Sequence, residues 1–93
     1  MLEEILRQLF VNAFTKLYGQ TPPVQQVNFQ KTRPEFEGDV TIVVFPFVKI
    51  SKKSPEVMAD EIGREIVAES EIVSKYNVVK GFLNLLVSDS YWL

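Results

Sequence analysis

The sequence predicts an α+β domain: a small, mostly antiparallel four-stranded sheet with two helices on one face, in the order α-β-β-α-β-β. Three observations predict it. Apolar residues recur at helical spacing from Leu2 to Leu17, a second helix opens at Ser54-Pro55-Glu56, and two β-type runs meet at Lys80-Gly81. Two amphipathic helices laid on one face of a short sheet is the economical way to bury both apolar stripes.

In the first helix Leu2, Ile5, Leu6, Leu9, Phe10, Ala13, Phe14 and Leu17 form one wide apolar stripe, with Glu3, Arg7, Gln8, Asn12 and Lys16 opposite. Lys16 suits the negative end of the helix dipole, and Gly19 is the natural residue just past the end. Thr21-Pro22-Pro23 forbids further helix. Residues 24–31 alternate in part, with Val27 and Phe29 inward, as a half-buried strand would. A loop rich in turn formers covers 32–39. Val40 to Phe45 is β-branched and apolar throughout, either a well-covered strand or a strand running into a helix, and Pro46 ends its ladder. Residues 47–51 fit a helical turn or an extension equally well.

The second helix has Ser54 as N-cap, Pro55 at its first position and Glu56 in its first turn. It runs to about Ser70 with Met58, Ala59, Ile62, Gly63 and Ile66 inward. A glycine in mid-helix costs up to about 1 kcal/mol against alanine, and close packing on a strand is the reason Gly63 suggests. Glu56, Asp60, Glu61, Arg64, Glu65 and Glu69 make a solvated face. Asp60, Glu61 and Glu65 lie near one another on it, with nothing else converging to make a metal or acid–base site. Residues 72–79 and 82–88 close the fold as a hairpin, Gly81 supplying positive φ.

Composition narrows the chemistry. The 93 residues suffice for one domain, and 46% hydrophobic with 12% aromatic content supports a core. There is no cysteine and no histidine, which removes thiolate chemistry, the commonest metal ligand and the commonest general base. The opening Met1-Leu2-Glu3-Glu4-Ile5 is no signal peptide and no run reaches transmembrane length, so a cytoplasmic protein without membrane contact is expected. A net charge of −2 matches nucleic acid poorly as a whole, so binding of that kind would be local.

Local candidates exist. Period-2 alternation sends Leu83, Leu85 and Val87 to a core face and Phe82 and Asn84 to the other, where an aromatic ring beside an amide could stack on a base and hydrogen-bond its edge. Ordinary covered sheet surface is the other reading of that pair. Lys49, Lys52 and Lys53 put three positive charges into five residues, with Lys80 at the hairpin turn. Lys49-Ile50-Ser51-Lys52-Lys53 resembles the mobile lysine loop of class I aminoacyl-tRNA synthetases, but without a histidine-bearing partner motif or a nucleotide-binding fold the lysines read as a solvated approach that could touch phosphate. The tail Ser90-Tyr91-Trp92-Leu93 reads as a cut inside a longer protein.

Phe36-Glu37-Gly38-Asp39, the apolar run after it, the Lys-rich turn, Ser54-Pro55, the Ala59/Ile62 helix and Gly81-Phe82-Leu83-Asn84-Leu85 together resemble the N-terminal additional domain of arginyl-tRNA synthetases, over essentially the whole chain. Departures from the family pattern are Val40 and Val43 or Val44, where an aromatic and an Asn are common, and Leu86 where many members have Arg. The resemblance implies a non-catalytic tRNA-recognition domain that contacts the D-loop at the outer corner of arginine tRNA. Phe82 and Asn84 would approach the base, with Lys80, Lys49, Lys52 and Lys53 as phosphate contacts. It implies no cofactor in this domain, and a parent ligase that uses ATP and arginine with magnesium and has its catalytic domain on the same chain. A docking module using Phe82, Tyr91 and Trp92, or a stand-alone α/β ligand-binding domain, are the alternatives.

Overall fold

The computed structural model of the chain describes residues 2–88. Tyr91 and Trp92, assigned above to docking, lie outside them. Leu6, Phe10, Ala13 and Phe14 form the buried stripe of α1 (Leu2–Tyr18). Leu17, expected to extend the stripe, is 38% exposed. The inward place is taken by Tyr18, whose ring meets Phe14 edge-on at 4.8 Å. Gly19, at φ +73, ends the helix by donating its N–H to the Thr15 carbonyl at 2.9 Å.

Residues 24–31 divide. Val24–Gln26 is a single 3-10 turn, closed by Gln26 N–H to Pro23 and Val27 N–H to Val24, and only Asn28–Lys31 is strand β1. Likewise β2 (Val40–Val43) stops short of the apolar run, because Val44 turns into helical backbone and Phe45–Phe47 makes another 3-10 turn. Pro46 fits there because the first turn of a helix requires no N–H from it. The undecided residues then form a short helix, α2 (Val48–Ser51), closed by Lys52 at φ 59. In α3 (Pro55–Glu69) the Ser54 hydroxyl accepts from Val57 N–H at 3.3 Å, and all five expected inward residues are buried. The hairpin is β3 (Val73–Val79) and β4 (Phe82–Val87). Both turn residues, Lys80 at φ 50 and Gly81 at φ 80, are left-handed, which matches the twist of a two-residue hairpin.

The sheet order is β1-β2-β4-β3 with every neighbouring pair antiparallel. One cross-strand row, Phe29-Ile42-Leu83-Val78, faces the helices. The adjacent row, Gln30-Thr41-Asn84-Asn77, faces away. Helices α1 and α3 share one apolar core with Ile42, Leu83 and Leu85. No helix among the described residues is long and apolar enough to cross a membrane.

The acidic face of α3 is exposed as expected at Glu56, Arg64 and Glu69, while Asp60, Glu61 and Glu65 are half-buried. Lys16 of α1 reaches Glu65 at 2.8 Å and Glu69 at 2.6 Å. The Tyr18 hydroxyl donates to Glu61 at 2.8 Å and the Tyr76 hydroxyl to Asp60 at 2.7 Å. Partial burial and then the neighbouring carboxylate raise the pKa of each tyrosine. Partners from α1 and β3 thus engage these acids, an arrangement that a single helical wheel does not reveal.

Two consequences of this packing can be measured. A β-carbon at Gly63 would lie 2.4 Å from Cδ2 of Tyr76 and 2.9 Å from Cδ1 of Leu83. Gly63→Ala should therefore destabilise the chain by about 1–3 kcal/mol in denaturant titration, overpacking outweighing the helix propensity gained. A more stable variant would refute the close approach. The second concerns acid. The hydrogen bond from Lys16 lowers the pKa of Glu69 below 4.5. A depressed carboxylate stabilises the fold above its unfolded value and loses that contribution as pH falls through its folded value. Lys16→Gln should accordingly flatten the decline of stability below about pH 4.5 and change its shape little between pH 6 and 8, as thermal melts across pH would record.

Candidate nucleic-acid interface

The helices occupy one face of the sheet, and the 32–39 loop folds over the other. Asp39 fastens its end twice: its N–H donates to the Leu85 carbonyl at 2.8 Å, and its carboxylate accepts the Val87 N–H at 2.8 Å. Gly38, at φ +151, passes so close that a β-carbon there would lie 3.1 Å from both Asn84 Cβ and Thr32 Oγ1. The Gly38-Asp39 pair is thus explained by a close crossing followed by an anchor.

Beneath the loop the outer row is joined by side chains. Thr41 donates to Asn84 Oδ1 at 2.5 Å, Asn84 Nδ2 donates to Asn77 Oδ1 at 2.8 Å, and Asn77 Nδ2 donates to the Glu37 carbonyl. Thr32 and Thr41 hydroxyls lie 2.9 Å apart. A carbonyl only accepts, so Glu37 fixes the direction of the chain, and Thr41, whose single proton goes to Asn84, must accept from Thr32. The result is a head-to-tail series, Thr32 to Thr41 to Asn84 to Asn77 to Glu37, that starts and ends on the loop. Asn84 is 1% exposed. The alternation reading placed it correctly on the outward face but left it open; the loop covers it. One amide hydrogen and one oxygen lone pair of Asn84 remain uncommitted by this series.

Between loop and hairpin tip lies an open cavity of about 80 Å³. Thr41 and Asn84 contribute to its lining, Val79, Lys80 and Phe82 come from the hairpin, and Gln30, Lys31, Arg33 and Phe36 from β1 and the loop. Phe82 is backed by Phe45, edge-on at 5.5 Å, and Gly81 sits against Pro55, where a β-carbon would approach to 2.9 Å. The lining includes three cations and no carboxylate, although the chain carries net charge −2. Such a site can hold a flat ring against an aromatic, satisfy polar edges and attract anions.

Of the residues expected from sequence, Phe82, Asn84 and Lys80 converge here. Lys49, Lys52 and Lys53 do not line this cavity. Lys53 instead lies 3.7 Å from Glu61 and lines a separate hollow with Tyr18 and Arg64. Lys31, Arg33 and Phe36 were missed as site residues, since only the return of the loop over the sheet brings them in. Among the described residues no cluster of three or more His, Cys, Asp and Glu side chains is disposed to hold a metal ion.

The chain is an α+β domain whose sheet is packed under helices on one face and crossed by the 32–39 loop on the other, beside a cavity lined by an aromatic, an amide and three cations. The chain belongs to the family of arginyl-tRNA synthetase N-terminal domains: the sequence model described as Arginyl tRNA synthetase N terminal domain matches residues 4–87. It is 48% identical to the arginine–tRNA ligase of Bacteroides fragilis over 92 residues, 99% of this chain and 15% of that ligase. Against the ligase of Phocaeicola vulgatus it is 50% identical over 93 residues, again 99% and 15%. The fold matches Thermus thermophilus arginyl-tRNA synthetase with a TM-score of 0.75 at 20% identity, over 98% of this chain and 15% of that one. The chain therefore spans about 15% of the length of the relatives it matches.

Asn84→Asp tests the direction of the polar series. A carboxylate cannot donate to Asn77 Oδ1 and would be charged at a buried position, so a loss of about 2–4 kcal/mol is expected in chemical denaturation. A change under about 0.5 kcal/mol, typical of an unconstrained surface site, would show that the series does not hold the fold.

Proposed function

We propose that this chain is a non-catalytic tRNA-binding domain of an arginine–tRNA ligase, contacting the D-loop at the outer corner of arginine tRNA and so aiding its aminoacylation. The observation that carries the reading is the cavity itself: Phe82 beside the amide of Asn84, ringed by Lys31, Arg33 and Lys80 with no carboxylate in the lining. Bases in RNA loops are unstacked and are taken up by aromatic rings, and polar groups read their edges. Phe82 is the stacking surface, and the uncommitted hydrogen and lone pair of Asn84 face the task of reading. Lys80 meets phosphate at the tip. Lys49 and Lys52 are exposed and serve as outlying phosphate contacts. Lys53 would first have to release Glu61.

In this reading the domain takes no part in the chemical step. ATP, arginine and magnesium belong to the catalytic domain, which is a second partner on the same chain, and the enzyme works in the cytoplasm. A stacked base supplies about 1–3 kcal/mol, and phosphate contacts add an affinity that salt erodes. Exposed Phe45 and Val57, each 46% exposed, favour a second use of this region, docking on another domain of the ligase.

The measurement is aminoacylation by the full-length ligase. Phe82→Ala should raise KM for tRNA by about tenfold, the lower-middle of the range for one stacked base, with kcat and KM for arginine unchanged. An unaltered KM for tRNA together with a lowered melting temperature of the whole enzyme would reject tRNA contact at Phe82 and favour docking.

A further inference from the structure

We propose that the 32–39 loop is the second wall of the tRNA-binding groove: Arg33 and Lys31 hold a phosphate of the nucleotide whose base stacks on Phe82, and Asn77 positions that wall. The inference rests on the tRNA-binding reading and adds residues and a geometry to it.

The charges come first. Lys31 and Arg33 stand on the loop side of the cavity and Lys80 on the hairpin side. All three are exposed. The carboxylates that form ion pairs among the described residues pair with Lys16, Lys53 and Arg64 instead. A guanidinium presents a planar fork that fits two phosphate oxygens at once, which suits Arg33 to the principal contact and Lys31 to a supporting one. A nucleotide entering base-first between the walls would then meet an aromatic on one side and cations on the other.

The wall is also fixed in advance. A basic side chain on a free loop gains less from binding, because the loop must be ordered at the same time. Here the polar series ties Thr32 at one end of the loop and the Glu37 carbonyl at the other, and Asp39 adds two further hydrogen bonds to β4. A turn closed by Phe36 N–H to the Arg33 carbonyl at 3.0 Å shapes the segment between. Asn77 does not line the cavity, and its amide is shared between Asn84 and Glu37. It links the base-reading amide to the loop that carries Arg33, and so acts through both without touching tRNA.

The experiment uses the full-length ligase and arginine tRNA, with Kd measured against salt and aminoacylation kinetics run alongside. Arg33→Ala should weaken tRNA binding about five- to tenfold at low salt and reduce the slope of log K against log salt by about 0.7–0.9, one phosphate contact. Lys31→Ala should act in the same direction and less. Asn77→Ala should raise KM for tRNA about three- to tenfold with kcat unchanged, and should add less once Arg33 is already alanine, leaving only the part that acts through Asn84. If Phe82→Ala raises KM while Arg33→Ala leaves affinity and salt slope as in the unmodified enzyme, the second wall is refuted and the tRNA reading stands. If neither variant alters tRNA binding, both are refuted. Fully additive effects of Asn77→Ala and Arg33→Ala would refute the positioning role. Arg33 is exposed, so its variant tests the wall even where Asn77→Ala lowers stability.

Discussion

The distance between α3 and the sheet is set at Gly63, and much of the molecule depends on that contact. The Tyr76 ring lies where a side chain at position 63 would be, with Leu83 beside it. The same tyrosine donates its hydroxyl to Asp60, nearly one turn earlier on the helix. One residue of β3 is thus held by both packing and a directional bond. The other end of the hairpin is held where Gly81 meets Pro55 and Phe45. Two glycines, one in mid-helix and one in a turn, therefore fix the hairpin against α3 at two points. Phe82, the first residue of β4, directly follows the second of these contacts and packs edge-on against the same Phe45.

With the inner face sealed by apolar packing, the outer face is organised by hydrogen bonds instead. β4 is flanked by β2 and β3, so Asn84 sits in the middle of the sheet, where fraying is least. A buried amide there would be destabilising if its groups were unpaired. Its carbonyl oxygen and one amide hydrogen are engaged in a series whose direction is imposed by the Glu37 carbonyl. The polar row therefore does in the outer layer what Leu83 and Leu85 do in the inner one: it holds a neighbouring segment at a defined place. It differs in that its contacts are directional, which those of an apolar row are not.

What could be read from the sequence was whatever depends on local spacing. The stripes of α1 and α3, the Ser54 cap, the hairpin turn and the division of β4 into two faces all arise from periods of 3.6 and 2 or from single capping residues, and the structure reproduces them. Even the purpose of Gly63 could be inferred, because a glycine among the inward residues of a helix costs helix propensity that close packing offsets. The Val44–Ser51 stretch was less legible. An apolar run containing a proline satisfies a covered strand and a 3-10 turn equally, and the choice between them is made by the core, which takes in Val44 and Phe47. The loop side of the cavity was hidden altogether. Its position depends on pairs such as Asn77 with Glu37 and Val87 with Asp39, 40 and 48 residues apart, and no periodicity reports them. The Lys49–Lys53 cluster shows the converse: density of charge along the chain does not bring its members to the cavity, and the structure pairs Lys53 with Glu61.

In the tRNA-binding reading, the charge distribution offsets the poor match between a chain of net charge −2 and a polyanionic partner. Asp60, Glu61, Glu65 and Glu69 of α3 face Lys16, Tyr18, Tyr76, Arg64 and Lys53 on the helical side of the sheet. Lys31, Arg33 and Lys80 gather at the cavity on the opposite side. Glu35 and Glu37 ride on the loop but do not line the cavity, and the Asp39 carboxylate is engaged by Val87 N–H. The two sets of charges lie on opposite sides of the sheet, so in the tRNA-binding reading an approaching phosphate would respond to the three cations near it more than to the sum over the chain. In the same reading, net charge limits how far away the domain would attract RNA, and the sheet, by separating the two sets of charges, decides which face the RNA would meet.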